Sequence, residues 1–374
     1  MWSEVRYGKT LIHLEGRIDS NNARDVEAEI EKRLAEEGDK EPAFDMLKLD
    51  YVSSAGLRVF LKIRKKWKKN LTLTNVSDEV YSIFEVTGFT EMFDIIRKLR
   101  QVSVKDLDPM STGINGTIYR LPGDEMIKVY NPNVGIREVR YERELAHTAL
   151  VLGIPTAIPY DVVSCDDDNF GIVFEAMDAD SLAQAIKKNP DKIDDYAKEF
   201  AAFLHELHGT TVPMGKMPNI KDKYREWLEL AKSELSPGDA DRLTKLINAI
   251  PDKTNYVHGD ISLTNVILQD GEMLLLDMAS SGRGHTIFDM QGLYASLIAI
   301  EKERPYYCVS TFGISKDTCA DFWKRFYAYY MEGGDEQKFK QMNALLQQYY
   351  ILKQKLLMGL QQKSKSEYQK TVMK

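Results

Sequence analysis

The octapeptide from His258 to Asn265, HGDISLTN, constrains this chain more than any other segment. A short apolar run follows it and ends at Asp277. Phosphoryl transfer from ATP needs a carboxylate that receives a proton and oxygen ligands that hold magnesium against the phosphates. Asp260 is therefore the candidate base, and Asn265 and Asp277 are the candidate magnesium ligands.

The spacing of these residues fits a loop followed by a β-hairpin. Val266 to Leu268 predicts a short strand, Asp270-Gly271 a tight turn, and Met273 to Leu276 the returning strand. Both metal-ligand candidates would then lie at the open ends of adjacent strands. A chance hairpin, whose polar residues only satisfy turn backbone, is the alternative, but three ligand-type residues at this spacing favour a catalytic interpretation.

This segment resembles the catalytic loop of aminoglycoside phosphotransferases and choline kinases, which are small-molecule relatives of protein kinases. Their motif is H-G-D-x-x-x-x-N, followed by a strand and a second Asp. Protein kinases carry Arg at the position of Gly259 and Phe-Gly in place of Met278-Ala279. The run from Ser281 to Gly284 and the pair Phe288-Asp289 also resemble the aminoglycoside enzymes. The resemblance implies that Asp289 is a structural anchor.

A glycine-containing hairpin precedes the catalytic motif. Gly113, Asn115 and Gly116 lie in it, and the next strand, Met126 to Tyr130, carries Lys128. Glycines let backbone N–H groups approach phosphate oxygens. An ordinary turn and a solvated lysine are the alternatives. The position of both features upstream of the catalytic motif favours a nucleotide site in which Lys128 holds the phosphates.

A helix predicted before the turn Gly153-Ile154-Pro155 offers a carboxylate to orient this lysine. Glu138, Glu142 and Glu144 are all available. The turn resembles the small-lobe turn of the family, and counting back from it selects Glu144, with Glu142 as the second choice.

The apolar run that ends at Glu175-Ala176-Met177 resembles the hinge of the same enzymes. The resemblance implies that the backbone of Glu175 and Met177 binds adenine. His205 and His208 lie on a predicted helix as packing or capping groups, and no His or Cys cluster predicts a zinc site.

The first hundred or so residues have a different pattern, in which strands alternate with helices and imply an α/β sheet with at least one parallel pairing. The predicted strands are Thr10 to Leu14, Phe44 to Leu49, Leu71 to Val76 and Met92 to Ile96. This segment resembles the STAS domain of bacterial anti-sigma factor antagonists. The residues that carry the resemblance are Gly16 to Asp19, Ser53 to Leu57 and Thr87-Gly88.

The STAS resemblance implies that Ser54 is a regulatory phosphorylation site and that the domain binds a protein partner. Phosphate at a helix N-terminus is electrostatically favourable. The alternative is that Ser53 and Ser54 only cap the helix.

The composition predicts a soluble, cytoplasmic protein of two domains. The 374 residues carry a net charge of −7, which argues against a nucleic-acid partner, and no apolar run predicts a membrane span. The basic run Lys62 to Lys69 is interpreted as a solvated helix face, with a docking patch as the alternative. The three cysteines show no disulfide framework, which favours reduced thiols, and the polar first ten residues contain no signal peptide.

We therefore expect an α/β STAS domain over 1–97, a linker over 98–104 and a bilobal α+β, protein-kinase-like domain over 105–374. The small lobe is expected over about 105–177 and a largely helical C-terminal lobe over about 178–374. A last helix over about 335–362 is predicted to bury Leu345, Leu346, Tyr349, Leu352 and Leu356.

Two functional classes stay open. The first is a phosphotransferase that uses ATP and Mg²⁺ to phosphorylate a hydroxyl of a small molecule, regulated by the STAS domain. The second is a signalling scaffold whose kinase-like domain only senses nucleotide. Cationic antibiotics, choline-like amines and other hydroxyl compounds all remain possible acceptors, and the choice between ATP and GTP and the oligomeric state stay open.

Overall fold

The computed structural model describes residues 1–6, 9–36, 38, 40–67, 71–113, 115–166, 169–333 and 335–372. Side chains are described for the same ranges except residues 6 and 362–372. Lys68 and Lys69 of the basic run, and Ile114 of the glycine hairpin, lie outside the described residues. The chain forms two units, Met1–Val102 and Ser103–Lys374.

The first unit is a five-stranded sheet with helices in its connections. Its strands are β1 (Trp2–Arg6), β2 (Lys9–Ile18), β3 (Glu41–Val52), β4 (Thr72–Val76) and β5 (Asp94–Arg97), and its helices are α1 (Ala23–Glu36), α2 (Ser54–Trp67) and α3 (Asp78–Val86). The strands lie in sequence order, with β1 antiparallel to β2 and every other pairing parallel. The alternating pattern predicted this architecture but missed β1, whose mostly polar residues gave no apolar signal.

The core of this unit is built on apolar positions of the sheet and helices. Phe44 of β3, Phe60 of α2 and Phe84 of α3 are fully buried, and their rings meet edge to face at 5.5 and 6.4 Å. Such ring pairs stabilise a core beyond the area that they bury.

The basic run on α2 is partly paired. Lys62 lies 2.6 Å from Glu27 and Lys66 lies 3.1 Å from Glu31, both on the neighbouring helix α1. Exposed ion pairs of this kind contribute little free energy. They nevertheless neutralise two of the positive charges of the basic run within the first unit, so these two lysines need no acidic partner from another molecule.

The two-residue strand β6 (Gln101–Val102) ends the first unit. The second unit opens with strands and becomes mainly helical after residue 181. Its strands are β7 (Pro109–Thr112), β8 (Gly116–Arg120), β9 (Glu125–Tyr130), β10 (Pro159–Cys165), β11 (Phe170–Glu175), β12 (Asp180–Ser181), β13 (Asn255–Val257), β14 (Val266–Gln269), β15 (Glu272–Leu275) and β16 (Gly282–Gly284). Its helices are α4 (Ile136–Val151), α5 (Leu182–Lys188), α6 (Ile193–Gly209), α7 (Ile220–Ala231), α8 (Pro237–Ala249), α9 (Ile287–Tyr294), α10 (Ile300–Glu303), α11 (Tyr307–Phe312), α12 (Lys316–Tyr330) and α13 (Glu336–Val372).

An antiparallel sheet and a helical body make up this unit. The sheet contains β10, β11, β9, β8 and β7 in that order, and α4 lies between β9 and β10 in the chain. The helical body has its own large apolar core, in which Phe200 of α6 contacts Phe322 and Phe326 of α12.

The last helix corrects one expectation. Leu346 and Leu356 of α13 are fully buried, as predicted, but Leu345 is 38% exposed. Residues 345 and 346 lie about 100° apart around a helix, so only one of them can face the core directly. The three cysteines are all buried and free.

Candidate active site

The catalytic loop is followed by the predicted hairpin. Strands β14 and β15 pair antiparallel, and the turn residues Asp270 and Gly271 both have positive φ, 53° and 86°. This backbone matches the right-handed twist of two-residue hairpins and explains the Asp-Gly pair. The backbone N–H of Leu276 donates to the carbonyl of Asn265 at 2.9 Å. Asn265 and Asp277 therefore lie at the same end of the hairpin.

Gly259 is required by a close approach of two backbone segments. Its φ is +79°, and a Cβ atom at this position would lie 2.4 Å from the carbonyl oxygen of Ser280. Any L-residue would meet both the strain of positive φ and this contact. The Arg of protein kinases therefore does not fit the backbone of this loop.

Asp289 anchors the loop from α9. Its carboxylate accepts hydrogen bonds from the backbone N–H groups of His258 and Gly259 at 2.9 and 2.6 Å. It also bonds to Nε2 of His208 at 3.1 Å. Although burial acts to raise the pKa of this carboxyl, the hydrogen bond and charge of His208 lead the interactions that hold the pKa below its ordinary value. The ionised carboxylate is thus the form that holds the loop.

His258 links the loop to the strand that leads to Asp277. Its side chain is fully buried, with Nε2 at 3.0 Å from the carbonyl oxygen of Leu276. Since a carbonyl can only accept, Nε2 carries the proton, and Nδ1 accepts from the backbone N–H of Asp260 at 3.3 Å. The imidazole therefore positions Asp260 and is not free for metal ligation.

Asp260 and Asn265 are directly coupled. Nδ2 of Asn265 donates to the carbonyl of Asp260 at 2.9 Å and lies 3.4 Å from its Oδ2 atom. This orientation leaves Oδ1 of Asn265 as the atom available to a cation. The carboxylate of Asp260 is exposed, as a base that meets a diffusing acceptor must be.

Lys128 joins the sheet to the catalytic hairpin. Its Nζ lies 2.8 Å from Oε1 of Glu142 and 3.2 Å from Oδ1 of Asp277. The Lys128 and Glu142 side chains are 13% and 7% exposed, whereas Asp277 remains 33% exposed. Burial acts to lower the pKa of Lys128, but Glu142 and Asp277 more than offset it and raise the pKa. The ammonium is therefore held charged between two carboxylates.

Glu142, and not Glu144, is the partner of this lysine. Glu144 is exposed on α4. Two residues turn an α-helix by about 200°, so the two carboxylates point to opposite sides. Glu142 shares its face with the buried residues Val139, Leu145 and Ala149. The spacing of three or four residues between these positions is visible in the sequence and indicates the buried face of the helix that includes Glu142. Counting back from the turn at Gly153 selected the wrong glutamate.

The glycine hairpin forms between β7 and β8. The backbone N–H of Gly113 donates to the carbonyl of Gly116 at 2.9 Å, and the carbonyl of Asn115 accepts from Asn131 at 3.1 Å. A Cβ atom on Gly116 would lie 2.2 Å from the carbonyl oxygen of Val129. Strand packing alone therefore requires this glycine, while Gly113 has no contact that would exclude a side chain.

The predicted hinge lies beside the hairpin formed by β14 and β15. Glu175 exchanges hydrogen bonds with the backbone of Ile158, through its N–H at 3.1 Å and its Oε1 atom at 2.9 Å. Met177 is 5% exposed and forms an apolar cluster with Ala157 and Ile267 of β14. All three side chains are buried, so the cluster fixes Met177 against β14, the strand that follows Asn265.

Two further groups lie within electrostatic range of Asp260, and the sequence did not indicate either of them. Burial and the negative charge of Asp260 are among the causes that raise the pKa of Tyr307 on α11. Burial acts to lower the pKa of Lys353 on α13, but Tyr224, Asp260 and Asp289 raise it above its ordinary value. Neither residue belongs to a motif, so only the packed structure reveals them.

Family models match both units. A STAS domain model matches residues 3–102, and the model described as the phosphotransferase enzyme family matches residues 119–335. The chain belongs to this phosphotransferase family and carries a STAS domain before it. The predicted fold class, a STAS α/β domain followed by a kinase-like domain with a largely helical C-terminal part, is confirmed.

A sequence relative and several solved structures are similar to parts of the chain. The "Putative anti-sigma factor antagonist BtrV" of Bordetella bronchiseptica is 34% identical over 91 residues, which are 24% of this chain and 78% of that protein. A choline/ethanolamine kinase family protein from Mesorhizobium loti has 14% identity and a TM-score of 0.43, over 68% of this chain and 77% of that one. The streptomycin–ATP complex of APH(2")-IIa has 16% identity and a TM-score of 0.45, over 74% and 89%.

No helix in the described part of the chain is both long and apolar enough to cross a membrane.

Proposed function

We propose that the second unit transfers the γ-phosphoryl group of ATP to a hydroxyl group of a small molecule. The observation that carries the proposal is Lys128, whose ammonium bonds to Glu142 and to Asp277 at once. A lysine held in this way suits the phosphates of a nucleotide, and the second carboxylate suits their metal ion. Family membership supports phosphotransfer as the reaction class.

Magnesium fits the oxygen atoms available. Oδ1 of Asn265 and the partly exposed carboxylate of Asp277 lie at one end of the hairpin, and Mg²⁺ favours one or two such ligands completed by water and phosphate oxygens. Among the described residues there is no group of three or more His, Cys, Asp or Glu side chains that could hold a metal ion alone. When bound, Mg²⁺ would neutralise charge on the phosphates of the nucleotide.

Asp260 would act as the general base. Its carboxylate takes the proton of the acceptor hydroxyl, the hydroxyl oxygen bonds to the γ-phosphorus, and the bond from phosphorus to the β–γ bridging oxygen breaks. ADP leaves with that electron pair. Asn265 and the imidazole of His258 hold Asp260 in place, since Nδ2 of Asn265 donates to the carbonyl of Asp260 and Nδ1 of His258 accepts from its backbone N–H. Gly113, Asn115 and Gly116 would cover the phosphates, and Glu175 and Met177 would line the adenine site.

We further propose that the STAS domain regulates the enzyme or binds a protein partner through the surface around Ser54. Ser53 provides the helix cap, because its Oγ accepts from the backbone N–H groups of Ala55 and Gly56 at 3.2 and 3.4 Å. Ser54 is exposed on the first turn of α2. Phosphate on Ser54 would therefore not remove the cap, and it would lie at a helix end that favours anions.

The alternative function is a scaffold in which the kinase-like domain senses nucleotide without transfer. Titration with Mg-ATP by calorimetry, followed by ATP turnover with a panel of hydroxyl acceptors, separates the two. Binding with acceptor-dependent turnover supports the enzyme, and binding without any turnover above Asp260→Asn supports the sensor. Absence of binding at millimolar Mg-ATP would reject both.

A further inference from the structure

Two lysines of the helical body lie against aromatic rings and form no salt bridge with a described carboxylate. Lys223 of α7 and Lys353 of α13 are both partly buried. Within the described residues neither forms an ion pair with an acidic side chain. By contrast, Lys355 on the same helix lies 2.6 Å from Asp239. The carboxylates of Asp260 and Asp289 lie within electrostatic range of Lys353, whereas the partly buried charge of Lys223 has no such influence from the described carboxylates and would be stabilised by an anion.

Aromatic rings hold both ammonium groups in place. Nζ of Lys223 lies 5.2 Å from the ring centre of Trp227, and Nζ of Lys353 lies 5.8 Å from that of Tyr224. These rings are 5.3 Å apart, and Phe288 lies 5.0 Å from Tyr224. Cation–π contacts of this kind orient a lysine. Lys353 also hydrogen-bonds to Tyr224, which uses one of its three N–H donors and leaves two for a ligand.

The two positive charges act on each other. Burial, together with the charge of Lys353, lowers the pKa of Lys223. Lys353 lines a small cavity with Gln291, Tyr349 and Phe288, and Phe288 directly precedes the loop anchor Asp289. Lys353 therefore lies near the anchor of the catalytic loop and within electrostatic range of Asp260.

We propose that Lys223 and Lys353 form an oxyanion-binding subsite for the acceptor, so that the acceptor is a hydroxyl compound bearing a phosphate or carboxylate group. The inference rests on the proposed function, in which Asp260 activates that hydroxyl. Two adjacent ammonium groups attract an oxyanion and repel an amine, which disfavours cationic antibiotics and choline-like acceptors. Since α13 lies outside residues 119–335, Lys353 is a residue that the family match does not include.

The test is binding of inorganic phosphate and, separately, acetate to the full chain saturated with magnesium and the non-hydrolysable analogue AMP-PNP. We expect saturable phosphate binding that Lys353→Met and Lys223→Met each weaken roughly tenfold or more, the loss expected for a charged hydrogen bond. Lys355→Met is the matched control, since it removes an ion-paired charge from the same helix and should leave the affinity unchanged. Lys353→Arg should retain binding. Tighter binding of phosphate than of acetate would indicate a phosphate ester, and the reverse a carboxylate.

Three outcomes would overturn the subsite. The first is that neither anion binds at tens of millimolar. The second is that Lys355→Met weakens binding as much as the two test variants. The third is competition between phosphate and AMP-PNP, which would assign the lysines to the nucleotide. In every case AMP-PNP binding is measured independently, so the subsite can fail while the proposed phosphotransfer stands. Far-UV circular dichroism of each unliganded variant is measured first, so a misfolded variant is recognised directly.

Discussion

The carboxylate of Asp289 accepts a 2.6 Å hydrogen bond from the backbone N–H of Gly259, thirty residues earlier in the chain. The catalytic loop is thus held at its glycine by a buried anion on α9. We expect Asp289→Asn to lower the free energy of unfolding of the second unit by about 1.5–3 kcal/mol at neutral pH, because hydrogen bonds to a charged acceptor are lost. Scanning calorimetry of both proteins measures this difference.

The same pair predicts a pH dependence with a defined sign. The folded state holds the pKa of Asp289 below its ordinary value of 3.8. The stability that it contributes is complete above that value and is lost as the pH falls through the lower, folded pKa. The stability difference between wild type and Asp289→Asn should therefore shrink below pH 3.8. A constant difference down to that acid range would contradict the role of the charge.

Gly259→Ala should destabilise the second unit more than Gly123→Ala. Both glycines have positive φ, +79° and +83°, but only Gly259 has a backbone oxygen where the new Cβ would lie. Strain from positive φ alone costs about 1–2 kcal/mol per residue. The contact with Ser280 adds to this at Gly259, and it should also displace Asp260 and reduce turnover. Equal melting temperatures for the two variants would show that the contact relaxes without cost.

Glu142→Gln should raise the KM for ATP or lower kcat by roughly tenfold or more, because it removes the charge that orients Lys128. Glu144→Gln is the matched control on the same helix, and its exposed side chain should be dispensable. Steady-state kinetics and calorimetric titration with Mg-ATP measure both effects. A larger loss of activity in Glu144→Gln than in Glu142→Gln would instead support Glu144, the partner of Lys128 that the sequence predicted.

Asp260→Asn and Asp277→Ala should separate chemistry from nucleotide binding. The first removes the proton acceptor but preserves shape, so Mg-ATP affinity should persist while turnover falls about 10²- to 10⁴-fold. The second removes a metal ligand, so Mg-ATP affinity itself should fall. The proposal of a catalytic base fails if Asp260→Asn retains full turnover.

Ser53→Ala and Ser54→Ala should have different effects on the first unit. Loss of the Ser53 cap is expected to cost about 1 kcal/mol, whereas Ser54 has no cap to lose. Ser54→Asp should alter ATP turnover or partner capture while far-UV circular dichroism stays the same. Mass spectrometry after incubation with Mg-ATP would show whether Ser54 gains phosphate within the same chain. If neither Ser54 variant changes turnover or capture, the switch is rejected.

The sequence by itself determined the features that depend on neighbouring residues. The strands around Asp270-Gly271, the order of Lys128, Asp260 and Asp277, and the alternating pattern before residue 97 were all readable, because turns and periodic burial act over a few residues. Only the tertiary structure decided that Glu142 faces Lys128 and that Lys223 of α7 lies within electrostatic range of Lys353 of α13. These choices depend on helix rotation and on contacts between distant segments. A shift of two residues reverses a helical face, and no local rule specifies which residues from α7 and α13 will pack together.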